Sequence, residues 1–205
     1  MCSRKVFCYN KQDKRKTIFA GSILDLNKYV VEDERIMFQT FYPSACYDAT
    51  YDIDFEAFYQ KGYRAVIFDI DNTLVPHGAP ADARSIALFQ KLRTIGYQTM
   101  VLSNNKEPRV KSFAEQVGTN YIYKANKPST KNYNKAMQDM GTNQQNTLFV
   151  GDQLFTDVWG AKRAGIYSIL VKPIHPKEEI QIVIKRFFEK IVLFFYKRQC
   201  RKQAK

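Results

Sequence analysis

An α/β fold with a doubly wound, five-stranded parallel sheet, Rossmann-like with helices on both faces, is predicted by three observations. From Arg64 onward short apolar runs alternate with helix-length segments. The runs are continuously apolar rather than alternating, as in strands buried on both faces of a parallel sheet. The helix-length segments each end at a glycine, the residue that best accepts a left-handed C-terminal turn.

The elements follow in order. Strands are expected over 65–69, 98–103, 121–123, 147–151 and 168–171. Between them, helices are expected over 82–95, 108–117, 130–140 and 156–164, stopped by Gly96, Gly118, Gly141 and Gly165. Short connections between such elements mean a sheet wound by crossover helices. Residues 64–176 therefore read as the core domain. Residues 37–63, rich in Phe and Tyr, read as a lead-in packed on it. Residues 1–36, with the polar run "NKQDKRKT" and the charged "VEDER", read as a weakly structured extension.

Residues 177–205 read as a basic amphipathic helix. Ile180, Ile184, Phe187, Phe188, Ile191, Phe194 and Phe195 recur at three- to four-residue spacing, with Lys and Arg largely off that stripe. A helix from 177 to 199 would run roughly 34 Å, against the ~17–20 Å of a strand layer. Its distal half is expected to overhang the domain and expose Phe194 and Phe195.

The composition, 45% hydrophobic and 25% charged, is that of an ordinary globular chain. The net charge of +12 is unevenly spread. The last 29 residues hold 9 Lys/Arg against 3 Glu, half of the excess. The basic balance thus belongs to a tail and argues against a domain-wide nucleic-acid face. Four cysteines without a C-x-x-C pair suggest neither zinc nor a disulfide framework, and fit free thiols in a reducing compartment. No secretory apolar core and no uncharged run of ~20 residues is present. The expectation is a cytoplasmic protein, peripheral on the inner face of the cell membrane.

In a doubly wound sheet, ligands bind beyond the carboxyl ends of the strands. The unusual polar residues fall there each time: Asp69, Asp71 and Thr73 after the first strand, Ser103 and Asn104 after the second. Lys127 follows the third, and Asp152 and Asp157 follow the fourth. Taken singly, Asp69 and Asp71 would form a turn, Asp152 and Asp157 a helix cap, and Lys127 a solvated cation. Four strand ends delivering carboxylates, a hydroxyl and a lysine to one rim favour a site. Carboxylates without matching cations suit a hard divalent ion such as Mg2+. Asp69 is then placed to attack phosphorus, Asp71 to serve as acid and base, and Ser103 and Lys127 to hold phosphoryl oxygens. Lys106, Arg109 and Lys124 lie near the rim and read as surface charge or as contacts to a second phosphate. His77 and His175 receive no role.

"DIDNT", "VLSNN", "NKP" and "GDQLFTD" resemble, in order and spacing, the four motifs of the haloacid dehalogenase superfamily of aspartate-nucleophile phosphatases. The match covers about residues 64–172. "IFDIDNTLV", "YIYKANKP" and "GDQLFTDVWGAKRAG" are most similar to the YqeG-like branch of subfamily IIIA, itself similar to phosphatidylglycerophosphate phosphatases. The resemblance implies Asp69 as nucleophile and Asp71 as acid/base, with the Asp71 carbonyl on Mg2+. It further implies that Thr73 braces the loop, Ser103 and Lys127 bind phosphate, and Asp152 is a metal ligand. Asp157 would support Lys127 or a metal-bound water. Because the resemblance begins near Phe38, directly after Met37, residues 1–36 are expected to be a dispensable extension or an upstream mis-start.

Only 33 residues separate Asp69 from Ser103 and 23 separate Ser103 from Lys127, so no inserted cap domain is expected. An open site favours bulky substrates. The expected function is Mg2+-dependent phosphomonoester hydrolysis of an anionic phospholipid, most simply phosphatidylglycerophosphate, at a membrane surface reached through the C-terminal helix. The alternatives are a soluble phosphorylated metabolite and a nucleic-acid-associated 3′-phosphatase or binding protein. A phospho-aspartate receiver fits less well, because the D-x-D-x-T order and Asp157 argue against it. The oligomeric state is left open.

Overall fold

The computed structural model describes residues 39–175 and 180–203, and gives only the backbone path for 180–188 and 202–203. Residues 1–36 lie outside the described residues, as do the side chains of Ile180, Ile184, Phe187 and Phe188.

The sheet has six parallel strands rather than five. They are β1 (Ala45–Tyr47), β2 (Ala65–Phe68), β3 (Gln98–Leu102), β4 (Asn120–Ile122), β5 (Thr147–Gly151) and β6 (Tyr167–Val171), in the order β1-β6-β5-β2-β3-β4. The extra strand comes from the lead-in, where Ala45 pairs with Ile169 and Tyr47 with Val171 at the sheet edge. Three residues with Cys46 exposed carry no periodic signal, and pairing with a neighbour already in place makes them a strand.

Helices flank both faces: α1 (Phe55–Gln60), α2 (Ala83–Ile95), α3 (Glu107–Val117), α4 (Lys131–Asp139), α5 (Trp159–Arg163) and α6 (Ile180–Gln203). The pleat of β2 decides which helix meets which face. Val66 and Phe68 point to a cluster with Phe55, Leu88, Phe89, Leu92, Val110 and Phe113. Ala65 and Ile67 point to one with Tyr133, Ala136, Met137 and Ala161. All four strand residues are fully buried, which is why β2 reads as an unbroken apolar run.

Asp82 caps α2 by accepting from the Ser85 amide at 2.7 Å, and the Ser85 hydroxyl oxygen accepts from the Asp82 amide at 3.0 Å. Gly96 ends that helix at φ +105°, where a Cβ would also meet the Tyr59 hydroxyl.

The last helix exposes Phe194 and Phe195 as expected, but its distal half packs on the domain instead of overhanging it. Among its described side chains, Glu189, Val192 and Tyr196 face inward, next to Tyr42, Leu154, Val158 and Leu170. Ile191, Phe194 and Phe195 face outward, Phe194 with 62% exposure. Among the described residues no helix is long and apolar enough to cross a membrane.

Candidate active site

The central strands β2 and β5 are neighbours, and their carboxyl ends set the site. The Asp69 amide still donates to the Val150 carbonyl at 2.9 Å, so this acid is fixed by the sheet itself. The chain then coils tightly, with the Leu74 amide donating to the Ile70 carbonyl at 2.9 Å. Asn72 takes the left-handed conformation, φ 63°, one that Asn tolerates better than most residues. Two lead-in side chains brace this coil from outside. The Thr50 hydroxyl donates to the Thr73 carbonyl at 2.7 Å, and the Tyr51 hydroxyl to the Leu74 carbonyl at 2.6 Å. Nothing in the spacing of 37–63 signals that duty.

Beyond β5, Asp152 follows at once, and a π-helical turn, Leu154–Val158, carries Asp157 back over Gly151. A Cβ on Gly151 would lie 2.6 Å from the Asp157 carboxylate. Real side chains do not tolerate that distance, and Asp157 is fully buried with no room to yield. Gly151→Ala will therefore displace Asp157 and cost about 1–3 kcal/mol of stability, as overpacking does. Urea denaturation of the variant measures it, and an unchanged midpoint would count against this packing. The turn is fixed below by Tyr133, whose hydroxyl is shared between the Thr156 and Asp157 carbonyls at 3.1 and 3.3 Å.

Carboxylate oxygens of Asp69, Asp152 and Asp157 lie within 4.8 Å of one another, the one such acidic group among the described residues. Lys127 enters it from the β4 side. Its Nζ donates to Asp69 Oδ1 at 2.5 Å and to Asp157 Oδ1 at 2.7 Å. The second Asp157 oxygen accepts from the Gln153 amide at 3.0 Å. The Thr73 hydroxyl lies between Asp69 Oδ2 (3.4 Å) and Asp152 Oδ1 (3.2 Å). Ser103 is buried beside them, its Oγ accepting from the Asn105 amide at 3.2 Å. Asn104 grips the Lys127 peptide: Oδ1 accepts from its amide at 2.8 Å and Nδ2 donates to its carbonyl at 3.4 Å. The loop is thus held by an asparagine on the neighbouring strand end, as well as by the proline that follows the lysine.

Three buried carboxylates and one ammonium stand close together here. Burial pushes the Asp69 carboxyl up to about 7, with Lys127 pulling it down and Asp157 and Asp71 adding to the rise. Burial also works against the charge on Lys127, but Asp157 and Asp69 more than offset it and hold the ammonium above its ordinary value.

Asp71 is the predicted residue whose carboxylate the structure sets apart. Its oxygens accept from the Gly78 amide (2.7 Å), Asn105 Nδ2 (2.7 Å) and Arg109 Nη2 (3.0 Å). Its side chain is therefore not gathered with the three metal-type acids, and a metal role would fall to its backbone. The sequence left Asn105 unassigned and read Arg109 as surface charge or a second-phosphate contact, whereas both hold Asp71. The rim position of Arg109 was legible, its partner was not.

Buried strand-end carboxylates around one lysine, on a parallel sheet wound by helices, define a class. The chain belongs to the haloacid dehalogenase-like hydrolases and is of their phosphatase type; the model of that family matches residues 79–165. Within it, the chain is 37% identical over 141 residues to the probable phosphatase YqeG of Bacillus subtilis (strain 168), spanning 68% of this chain and 82% of that protein. It is 28% identical over 169 residues to the chloroplastic/mitochondrial phosphatidylglycerophosphate phosphatase 1 of Arabidopsis thaliana, spanning 75% of this chain and 46% of that one. Among solved structures, a 3-deoxy-D-manno-octulosonate 8-phosphate phosphatase of Moraxella catarrhalis, in complex with magnesium, phosphate and the sugar acid, is 17% identical. It matches 55% of this chain and 72% of its own at a TM-score of 0.45.

Proposed function

We propose that the protein is a Mg2+-dependent phosphomonoesterase working through an aspartyl-phosphate on Asp69, with phosphatidylglycerophosphate as substrate and phosphatidylglycerol as product. The observation that carries the hydrolytic part is the cluster of Asp69, Asp152 and Asp157 around Lys127. Its donors are all hard carboxylate oxygens, with no sulfur or imidazole, a set that fits Mg2+. Asp69 and Asp152, with the Asp71 carbonyl, would hold the ion, while Asp157 keeps Lys127 in place. When bound, the ion would neutralise the acids and the phosphoryl oxygens facing them.

On this reading Asp69 Oδ attacks phosphorus as the bond to the leaving oxygen breaks, and Asp71 gives that oxygen a proton. Water then attacks the phosphoenzyme, Asp71 takes its proton, and the bond from phosphorus to Asp69 breaks to release inorganic phosphate. Lys127 and Ser103 steady the non-bridging oxygens, and Asn104 steadies Lys127. Residues 64–176 form the catalytic core without a cap, 37–63 close one sheet edge, and 177–205 meet the membrane.

Two things support the lipid substrate. One is the similarity to the Arabidopsis phosphatidylglycerophosphate phosphatase. The other is the outer face of α6, where Ile191 (40% exposed), Phe194 and Phe195 (37%) lie beside Lys190, Lys197, Arg198 and Arg201. Aromatic side chains flanked by cations suit a helix lying among anionic headgroups.

The test is Mg2+-dependent phosphate release from phosphatidylglycerophosphate in anionic vesicles, set against sugar phosphates, nucleotides and a 3′-phospho-oligonucleotide. Vesicle substrate should be preferred by about tenfold or more in kcat/KM. Phe194→Asp/Phe195→Asp should weaken vesicle binding on the order of a hundredfold, the worth of two partly buried rings, and leave turnover of a soluble aryl phosphate unchanged. Preference for a soluble ester, or vesicle binding untouched by the double variant, would overturn the lipid assignment.

A further inference from the structure

Asp71 has a supporting structure that the aspartyl-phosphate chemistry does not account for. In an in-line displacement the attacking and leaving oxygens lie on opposite sides of phosphorus. The acid that protonates the leaving oxygen must therefore stand a phosphoryl group's width away from the nucleophile. It cannot share the scaffold that fixes Asp69, Asp152 and Asp157, and its carboxylate needs partners of its own to hold it in place.

We propose that Arg109 and Asn105 are positioning residues for Asp71, a second support that keeps the acid/base on the leaving-group side of the site. This rests on the phosphatase reading above. The geometry is specific. Asn105 Nδ2 holds Asp71 Oδ2 at 2.7 Å, while Arg109 Nη2 (3.0 Å) and the Gly78 amide (2.7 Å) hold Oδ1. Both oxygens are thus fixed by three groups from two separate segments of chain. Asp71 is the one hydrogen-bond partner of the Arg109 guanidinium among the described residues, and its Nε is buried with none. The guanidinium otherwise leans toward the Phe113 ring, 5.7 Å from its centroid. A surface arginine with no duty would be expected to turn to solvent. This one gives up the hydration of Nε and keeps a single polar contact.

The two asparagines after β3 accordingly divide the work. Asn104 fixes the Lys127 loop and, one residue on, Asn105 fixes Asp71. Arg109, in the first turn of α3, closes the arrangement from the helix that follows the same strand. The segment 103–109 would thereby tie the phosphate-holding lysine and the proton-transfer group to one rigid piece of backbone.

The experiment uses the full-length protein with Mg2+ and two soluble substrates, an alkyl phosphate whose leaving oxygen needs a proton and p-nitrophenyl phosphate, whose leaving group does not. Arg109→Gln and Asn105→Ala should each lower kcat/KM on the alkyl ester by about 30- to 100-fold, within the range of general acid catalysis. On the aryl ester kcat/KM should change by less than about threefold, while kcat falls and a burst of p-nitrophenol appears, because water activation at the phosphoenzyme still needs a placed base. Arg109→Lys should recover part of the alkyl rate, since an ammonium can reach one oxygen but lacks the planar guanidinium. Adding Arg109→Gln to Asp71→Asn should cost nothing further, as expected for residues acting through one group.

Equal losses on both esters would mean that the arginine merely shapes the fold, and would overturn the proposal. So would a rise in KM confined to substrates carrying a second anionic group, which would make Arg109 a substrate contact. A wild-type protein that hydrolyses neither ester would instead overturn the phosphatase reading itself, an outcome distinct from both.

Discussion

Asp69→Asn will give a folded protein whose phosphate release falls to background, a loss on the order of ten-thousandfold or more, as for other covalent nucleophiles. The amide is nearly isosteric, and its oxygen can still accept from Lys127, but it cannot form the acyl-phosphate bond. Stability separates this loss from unfolding. Burial raises the Asp69 carboxyl from its ordinary 3.8 to about 7 in the folded chain. A carboxyl raised on folding costs no stability at low pH and an increasing amount as pH climbs through that interval, because the unfolded chain ionises it first. In metal-free buffer at pH 8 the D69N variant should therefore be at least as stable as the parent, and the advantage should fade as pH drops from 7 toward 4. Thermal melts across that range, with mass spectrometry to exclude deamidation of the introduced asparagine, make the measurement. Substantial turnover by the intact variant would sink the covalent mechanism.

The contrast between strands shows what the sequence could carry. β2 and β5 are continuously apolar because both of their faces are covered, and that pattern marked them in the sequence. β1 was not, since a three-residue edge strand with Cys46 turned to solvent is defined by its partner rather than by its own residues. The strand-end acids were legible because their spacing survives in one dimension. What each acid touches does not: the Asp71 contacts reach from residue 78 to residue 109, and those of Asp69 reach to Lys127. The π-helical turn that brings Asp157 over Gly151 leaves no mark on periodicity either, and its residues read as the start of an ordinary helix. α6 illustrates the remaining ambiguity. Apolar residues occupy both its sides, so only packing against Tyr42, Leu154, Val158 and Leu170 decides that Val192 and Tyr196 turn inward and Phe194 outward.

Lys127→Met should be the most destabilising change at the site, and should abolish activity as well. The ammonium is bonded to two of the buried acids, at 2.5 Å to Asp69 and 2.7 Å to Asp157. Its removal leaves two carboxylates in a dry setting with Asp152 close by. Breaking one side of a buried ion pair costs about 3–5 kcal/mol, which for a chain of this size lowers the melting temperature by roughly 10 °C. The deficit must shrink as pH falls, since protonated carboxyls need no counter-charge while the parent loses its ion pairs over the same range. Pairing the change with Asp157→Asn removes one of the stranded charges. Lys127→Met/Asp157→Asn should thus regain part of the lost stability without regaining turnover, because the phosphoryl oxygens still lack their cation. Urea titrations of the parent, the single and the double variants at pH 5 and pH 8 read out both effects. A single variant as stable as the parent at pH 8 would mean that the acids are not held ionised by Lys127.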